Sequence, residues 1–381
     1  MPPELSVYVL AGEPSGDRIG GALVDALRAR RPVKLSGVGG PDLIARGMLS
    51  LYPMSDLSVM GFADVIRRMP LLLWRARQTV DAILRSRPDI VVLIDSQVFS
   101  AAIAKRLRRR GYRGPVLLYV CPSVWAWKPE RALELTPLFD EVLAVLPFEP
   151  AVMARLGGPP TTYVGHPALA SFAERTVAPS RGPLLLLPGS REGEINRNLE
   201  MVRAVAAQFV DHPSVTGFVL PTTTGLRERL TTATSGWGLP VKVVATEAAK
   251  REAFASAVAA VAVSGTVTLE LALSGVPMVA TYVADAGQMK RMIKYQVKHI
   301  TLPNILAGRE VLPEMVFAEP DAARVANALR QLLDHPEAMG RQLQDFREIR
   351  ALMQKGTPEA PLVDVVDRVL AHAGQRSMIA V

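Results

Sequence analysis

Ten short apolar runs, alternating with segments of helical period, restrict what this chain can fold into more than any other feature. LSVYVLAG (5–12), VKLSGVGG (33–40), DIVVLID (89–95), PVLLYVC (115–121) and EVLAVLP (141–147) form one series. PLLLLPGS (183–190), TGFVLPT (216–222), VKVVA (241–245), AVAAVAVS (257–264) and PMVATYV (277–283) form a second, after the loop-like AERTVAPSRG (173–182). Continuous short runs read as strands buried on both faces, and a helix after each returns the chain to start the next strand in parallel. The pattern predicts an α/β protein with two doubly wound, mostly parallel sheets. At 381 residues the chain also exceeds the usual size of one core. The expected domains are 1–172 and 173–345, with C-terminal helices over 346–381 that have the option of packing back on the N-terminal domain.

In such sheets ligands sit beyond the carboxyl ends of the strands, so two domains facing each other make one cleft. In LLLLPGSREGEINRNLEMVRAVA (184–206), Gly189 and Ser190 let main-chain N–H groups face an anion at a helix N-terminus, and Arg191 can grip phosphate bidentately. No GK[ST] follows, so this is not a Walker loop. An ordinary turn in which Arg191 pairs with Glu194 is the competing reading. SGTVTLELALSGVP (264–277) repeats the design: Ser264 and Thr266, flanking Gly265, can cap a helix, and Glu270 lies one turn in, where a carboxylate can accept both hydroxyls of a ribose or simply be solvated. Together the two loops suit a nucleoside diphosphate without a bound metal. In AGEPSGD (11–17), Glu13 is a hydrogen-bond acceptor or general base, and Asp17 is expected to cap the helix that follows. Asp95 closes a central strand in VVLIDSQ.

Charge is uneven. Twelve Lys or Arg against three Asp between Val65 and Arg113 give that segment +9 of a total of +8. In PLLLWRARQTVDAILRSR, a stripe of Leu72, Leu73, Ala76, Val80, Ile83 and Leu84 is expected to cover the sheet. Leu71 and Trp74 fall off it, among Arg67, Arg68, Arg75 and Arg77, and read as an anchor on anionic lipid, with a protein contact or a homodimer as the alternative. The basic segment lacks a stacking platform or motif for nucleic acid. The longest uncharged run, Ala253 to Leu269, has 17 residues, short of a membrane span. A lone Cys121 and an N-terminus without a signal pattern point to the cytoplasm. The five histidines are scattered, with no metal-ligand spacing, although His166 in VGHP ends an expected strand and is a weak candidate for the cleft.

AGEPSGD, GVGGP with a following RGM, MSDLSVMGF, CPSVWAWKPER, LPFEP, GHP, LPGSREGE, SGTVTLE and LPNILAGRE stand in order from about residue 8 to 315. Together they closely resemble the lipid-A-disaccharide synthase family of inverting glycosyltransferases. The resemblance implies a GT-B fold of two Rossmann-like domains, acceptor and membrane docking in the first, UDP-sugar binding in the second. It implies a cytoplasmic enzyme held peripherally at the inner membrane, joining UDP-2,3-diacylglucosamine to 2,3-diacylglucosamine 1-phosphate without cofactor or metal. It puts Ser190 and Arg191 on the diphosphate, Ser264, Gly265 and Thr266 beside it, Glu270 on the ribose, and Asn304, Arg309 and Glu310 along the donor side. Glu13 and Asp95 fall on the acceptor side, and the acyl chains near Leu71, Leu72 and Trp74. One position departs: the family usually reads D-x-P-D/E-F where this chain has Asp95, Ser96, Gln97, Val98 and Phe99. Valine cannot accept a proton, so Asp95 or Glu13 carries the base role, or the chain is a silent paralogue or acts on another UDP-sugar, as a 2-epimerase does.

Overall fold

The computed structural model describes residues 3–57 and 62–379. It parts the chain into one unit of Met1–Pro167 with Lys355–Val381 and another of Ala168–Gln354. The first unit holds β1 (Leu5–Ala11), β2 (Val33–Val38), β3 (Ile90–Ile94), β4 (Val116–Tyr119), β5 (Glu141–Ala144) and β6 (Thr161–Tyr163), in the order β2-β1-β3-β4-β5-β6. The second holds β7 (Gly182–Leu187), β8 (Val215–Pro221), β9 (Val241–Val244), β10 (Ala259–Val263), β11 (Met278–Val283) and β12 (Glu314–Phe317), in the order β12-β11-β10-β7-β8-β9. Every strand pair is parallel.

β3, β4 and β10 are buried throughout, as apolar runs between two helical layers must be. The strands missing from the apolar series, β6 and β12, close one edge of each sheet. They are only 3 and 4 residues long and carry Thr161, Thr162 and Glu314, so their signal in the sequence is weak. Strand order turns back between β1 and β3 in the first unit and between β7 and β10 in the second, where open α/β sheets take ligands.

The last segment serves both units. In the helix Pro336–Lys355, the Gln342 side chain accepts from the Met278 amide at 2.6 Å and donates to the Met278 carbonyl at 3.0 Å, fixing the helix to β11. A turn at Gly356, where φ is +77° and a Cβ would sit 2.2 Å from the Ala360 carbonyl oxygen, sends the chain back to the first unit. There Val363 donates to the Tyr163 carbonyl at 3.0 Å. Helix Val365–Ile379 sets Arg368 (3.0 Å) and His372 (2.7 Å) on the buried carboxylate of Glu141, which also accepts from Thr162. Burial alone would raise that carboxyl, but hydrogen bonds from His372, Thr162 and Arg368 outweigh it and hold it below the usual range. Arg30 pairs with Asp364 and Asp367 in the open, where ion pairs add little.

Candidate functional site

In the second unit Leu187 of β7 lies beside Ala262 of β10, so the loops that follow the two strands leave the sheet as neighbours. The first turns at Gly189, with φ +113°, and enters the helix Glu192–Ala207. Glu194, three residues into the turn's helix, reaches back to accept from the amides of Ser190 (3.2 Å) and Arg191 (3.3 Å) and pairs with the Arg191 guanidinium at 3.2 Å. The chain thus supplies its own carboxylate to the amides and cation that suit a phosphate. Arg191 is 77% exposed, and an ion pair so solvated is weak and exchangeable.

The second loop opens the helix Thr266–Leu273 from an extended Gly265. Ser264 and Thr266 do not cap it. Ser264 donates to the Ile300 carbonyl at 2.5 Å instead, and Thr268 turns its hydroxyl to Gly265. No side chain accepts from the helix's first amides among the described residues. Glu270 is not solvated: its Oε2 is held by Lys250 Nζ at 2.6 Å.

In LPNILAGRE, Asn304 is fully buried, accepting from Val311 (2.7 Å) and Leu312 (3.1 Å) and donating to the Leu312 carbonyl at 3.0 Å. Its amide holds the loop that carries Arg309 and Glu310. Arg309 turns to Asp345 at 2.6 Å, and Glu310 is exposed. The sequence reading missed Glu314, whose carboxylate gathers His299 (2.9 Å), the Thr301 amide (2.9 Å) and the Thr301 hydroxyl (2.8 Å) and so anchors this segment to β12.

In the first unit Ala11 of β1 lies beside Ile94 of β3, bringing the loops of Glu13 and Asp95 together. A Cβ at Gly12 would stand 2.0 Å from Ser96 Oγ, so any larger residue there must displace the Ser96 side chain. Asp95 (φ +53°) and Ser96 (φ +43°) are both left-handed, a strained pair for residues with side chains. It is held by the Asp95 amide on Tyr119 (2.9 Å) and by the Ser100 hydroxyl on the Asp95 carbonyl (2.8 Å). Glu13 is exposed at the N-cap of Pro14–Arg28, and Val98 is 75% exposed. Asp17 does not cap its own helix. It is buried and accepts from Gly40 (2.8 Å), Asp42 (2.8 Å) and Leu43 (3.3 Å), capping Pro41–Ala45, the helix that follows the neighbouring strand.

Two buried groups stand near the ends of β4 and β5. Glu149 accepts from Leu146 (3.0 Å), Val145 (3.2 Å) and the Trp125 indole (3.3 Å), and burial pushes its carboxyl up to about 8. Burial likewise pushes the Cys121 thiol far up. His166 is half-buried, and burial lowers its imidazole to about 4, which leaves it neutral near pH 7.

The basic helix Phe62–Ser86 departs from its expected stripe. Ala76, Val80 and Ile83 are buried and Leu72 and Leu84 pack on the core, but Leu73 is 49% exposed. Leu71 is half-buried, so among the described residues the exposed large apolar side chains of this helix are Met69, Leu73 and Trp74, the last 54% exposed. Arg75 is not a surface cation: it pairs with Asp56 at 2.6 Å and covers Trp74 and Tyr52. Arg67 and Arg77 are exposed and Arg68 is half-buried. In the motif MSDLSVMGF, residues 58–61 lie outside the described residues. Among the described residues no helix is long and apolar enough to cross a membrane, and no group of acidic, His and Cys side chains is placed to hold a metal ion.

Two doubly wound parallel sheets, each with its candidate loops at the reversal of strand order, define the GT-B class of fold. Solved structures agree at the level of fold. The calicheamicin glycosyltransferase CalG4 superposes with a TM-score of 0.59 at 17% identity, covering 98% of this chain and 99% of that one. An S. aureus MnaA–UDP co-structure gives 0.58 at 11% identity, covering 90% of each chain. Sequence relatives are far nearer. The Lipid-A-disaccharide synthases of Rhodopseudomonas palustris and Nitrobacter winogradskyi are 40% and 39% identical, over 97% and 98% of both chains. The family described as Lipid-A-disaccharide synthetase matches residues 7–361. This chain belongs to the lipid-A-disaccharide synthase family, the glycosyltransferases that make the lipid A disaccharide.

Proposed function

We propose that the protein transfers the sugar of UDP-2,3-diacylglucosamine to the 6-hydroxyl of 2,3-diacylglucosamine 1-phosphate, forming the β-1,6 bond with inversion and releasing UDP. The observation that carries this reading is the pairing of two loops at the β7/β10 reversal, one with exposed Arg191 and amides held by Glu194, the other with amides that no side chain caps among the described residues and Glu270 one turn in. That the MnaA co-structure holds UDP supports a uridine nucleotide on this fold.

Arg191 and the two helix N-termini take the charge that builds on the leaving diphosphate, so the reading assigns no metal. Ser190, Ser264, Gly265 and Thr266 line the phosphates, Glu270 accepts from the ribose, and Arg309 and Glu310 border the sugar, with Asn304 holding their loop. Asp95 or Glu13 takes the proton from the acceptor hydroxyl as the oxygen attacks the anomeric carbon. Val98 leaves no third carboxylate on that helix turn.

Incubation with both acylated substrates, followed by mass spectrometry, tests the whole scheme: a disaccharide 1-phosphate and UDP are expected, and a product without a new glycosidic bond overturns it. Arg191→Ala is expected to lower kcat/KM about 100-fold, the scale of one lost charge-stabilising donor. A change of only a few fold would move the leaving-group site elsewhere. Val98→Asp is the companion variant.

For the lipid partners we propose that Met69, Leu73 and Trp74, with Arg67, Arg68 and Arg77, meet an anionic inner-membrane surface from the cytoplasm. Co-sedimentation with phosphatidylglycerol vesicles is expected for the parent and lost in Leu73→Asp/Trp74→Asp. Homodimerisation abolished by the same pair, without vesicle binding in the parent, would replace the membrane reading.

A further inference from the structure

Glu270 is not presented by its own helix alone. Its partner Lys250 belongs to the helix Glu247–Ser256, which follows β9 and is capped by Thr246 accepting from Ala249 at 3.2 Å. Both side chains are only 16% exposed, so the 2.6 Å pair is largely withdrawn from water and stiffer than a surface ion pair. The ammonium is held from a second side as well. It stands 5.5 Å from the ring centre of Phe172 and 5.6 Å from that of Phe254, and the two rings stack at 5.2 Å with 18° between their planes. Phe172 and Phe254 are both buried, so the cation has little freedom. The carboxylate is therefore pinned through Oε2, while no hydrogen bond to Oε1 joins it among the described residues.

We infer that Lys250 is a positioning residue for the donor nucleotide: by pinning one oxygen of Glu270 it aims the other at the ribose, and so sets the preference for ribonucleotide over deoxyribonucleotide. This rests on the assignment of Glu270 to the ribose made above. Lys250 itself touches neither the sugar being transferred nor the diphosphate. A pinned carboxylate accepts from a hydroxyl without first losing rotamer freedom, whereas a carboxylate with no partner turns toward solvent and forfeits that advantage.

Calorimetric titration of the full chain with UDP and with 2′-deoxy-UDP tests the inference, using the parent, Lys250→Met, Lys250→Arg and Glu270→Gln, with thermal melting to establish that each is folded. The parent is expected to prefer UDP by on the order of tenfold, the scale of one hydrogen bond to a charged group. Lys250→Met is expected to bring the two nucleotides within about threefold of each other by weakening UDP alone, and Lys250→Arg to restore most of the preference. Lys250→Gln serves as the second neutral variant should Lys250→Met fail to fold. Retention of the full preference in the neutral variants, with its loss in Glu270→Gln, would overturn the role of Lys250 and leave the ribose assignment standing. Equal weakening of both nucleotides would reduce Lys250 to structural support. Full preference in Glu270→Gln would remove the ribose assignment itself, and this inference with it.

Discussion

Each unit places a carboxylate near the reversal of its strand order, and the two are used in opposite ways. In the first, Asp17 is buried and spends itself on three amides of another loop, tying Pro14–Arg28 to the start of Pro41–Ala45. In the second, Glu194 bonds the amides of its own loop and a guanidinium that is 77% exposed. The backbone follows suit: the first unit forces Asp95 and Ser96 into left-handed geometry, whereas the second turns on Gly189. The first edge is built to stay as it is. The second is held by contacts that an incoming anion can replace.

The largest expected effect breaks the fixed edge. Asp17→Ala leaves three amides without their acceptor at a buried position and is expected to cost roughly 3 kcal/mol in urea unfolding. A loss near zero would mean that the two carboxylates are equivalent after all. Gly189→Ala comes next, at about 2 kcal/mol, because φ is +113° and the new Cβ would stand 2.7 Å from that of Glu194. Ser96→Gly has the opposite sign, a gain of about 0.5 kcal/mol, since relieved left-handed strain outweighs the added freedom of the unfolded chain.

A response to pH, spread over several units, separates the buried carboxyls near the two ends of β5. Glu149 has a folded value of about 8, above its unfolded one, so the unfolded state releases its proton first and stability falls as pH rises through this window. Between about pH 5 and 8 the parent is expected to lose roughly 1 kcal/mol per pH unit relative to Glu149→Gln, read from paired denaturation curves. Glu141 is held low, so its contribution is complete above the ordinary carboxylate range and is lost as pH falls through the folded value. Glu141→Gln is expected to remove that acid limb. Glu194→Ala is expected to cost about 1 kcal/mol, as the loss of a helix cap does, while UDP binding holds or tightens slightly.

Much of the fold was legible because parallel strands advertise themselves as unbroken apolar runs, and ten of the twelve strands among the described residues did so. β6 and β12 did not, being short edges that carry threonine or glutamate. Loops that turn on glycine were equally visible. Side-chain partners were not, because they are set by which loops the sheet makes neighbours: Asp17 finds Gly40 23 residues away, and Ser264 finds Ile300 36 residues away. Capping inferred from nearest neighbours failed at both positions for that reason. Leu73 was misjudged because a helix face drawn from hydrophobicity alone cannot tell where the sheet beneath it ends.

Because Lys355–Val381 completes the unit that Met1–Pro167 begins, that unit lacks the Arg368 and His372 partners of Glu141 until the whole intervening unit has been synthesised. A chain cut just after Lys355 would therefore injure the unit that Met1–Pro167 begins and spare the intervening one.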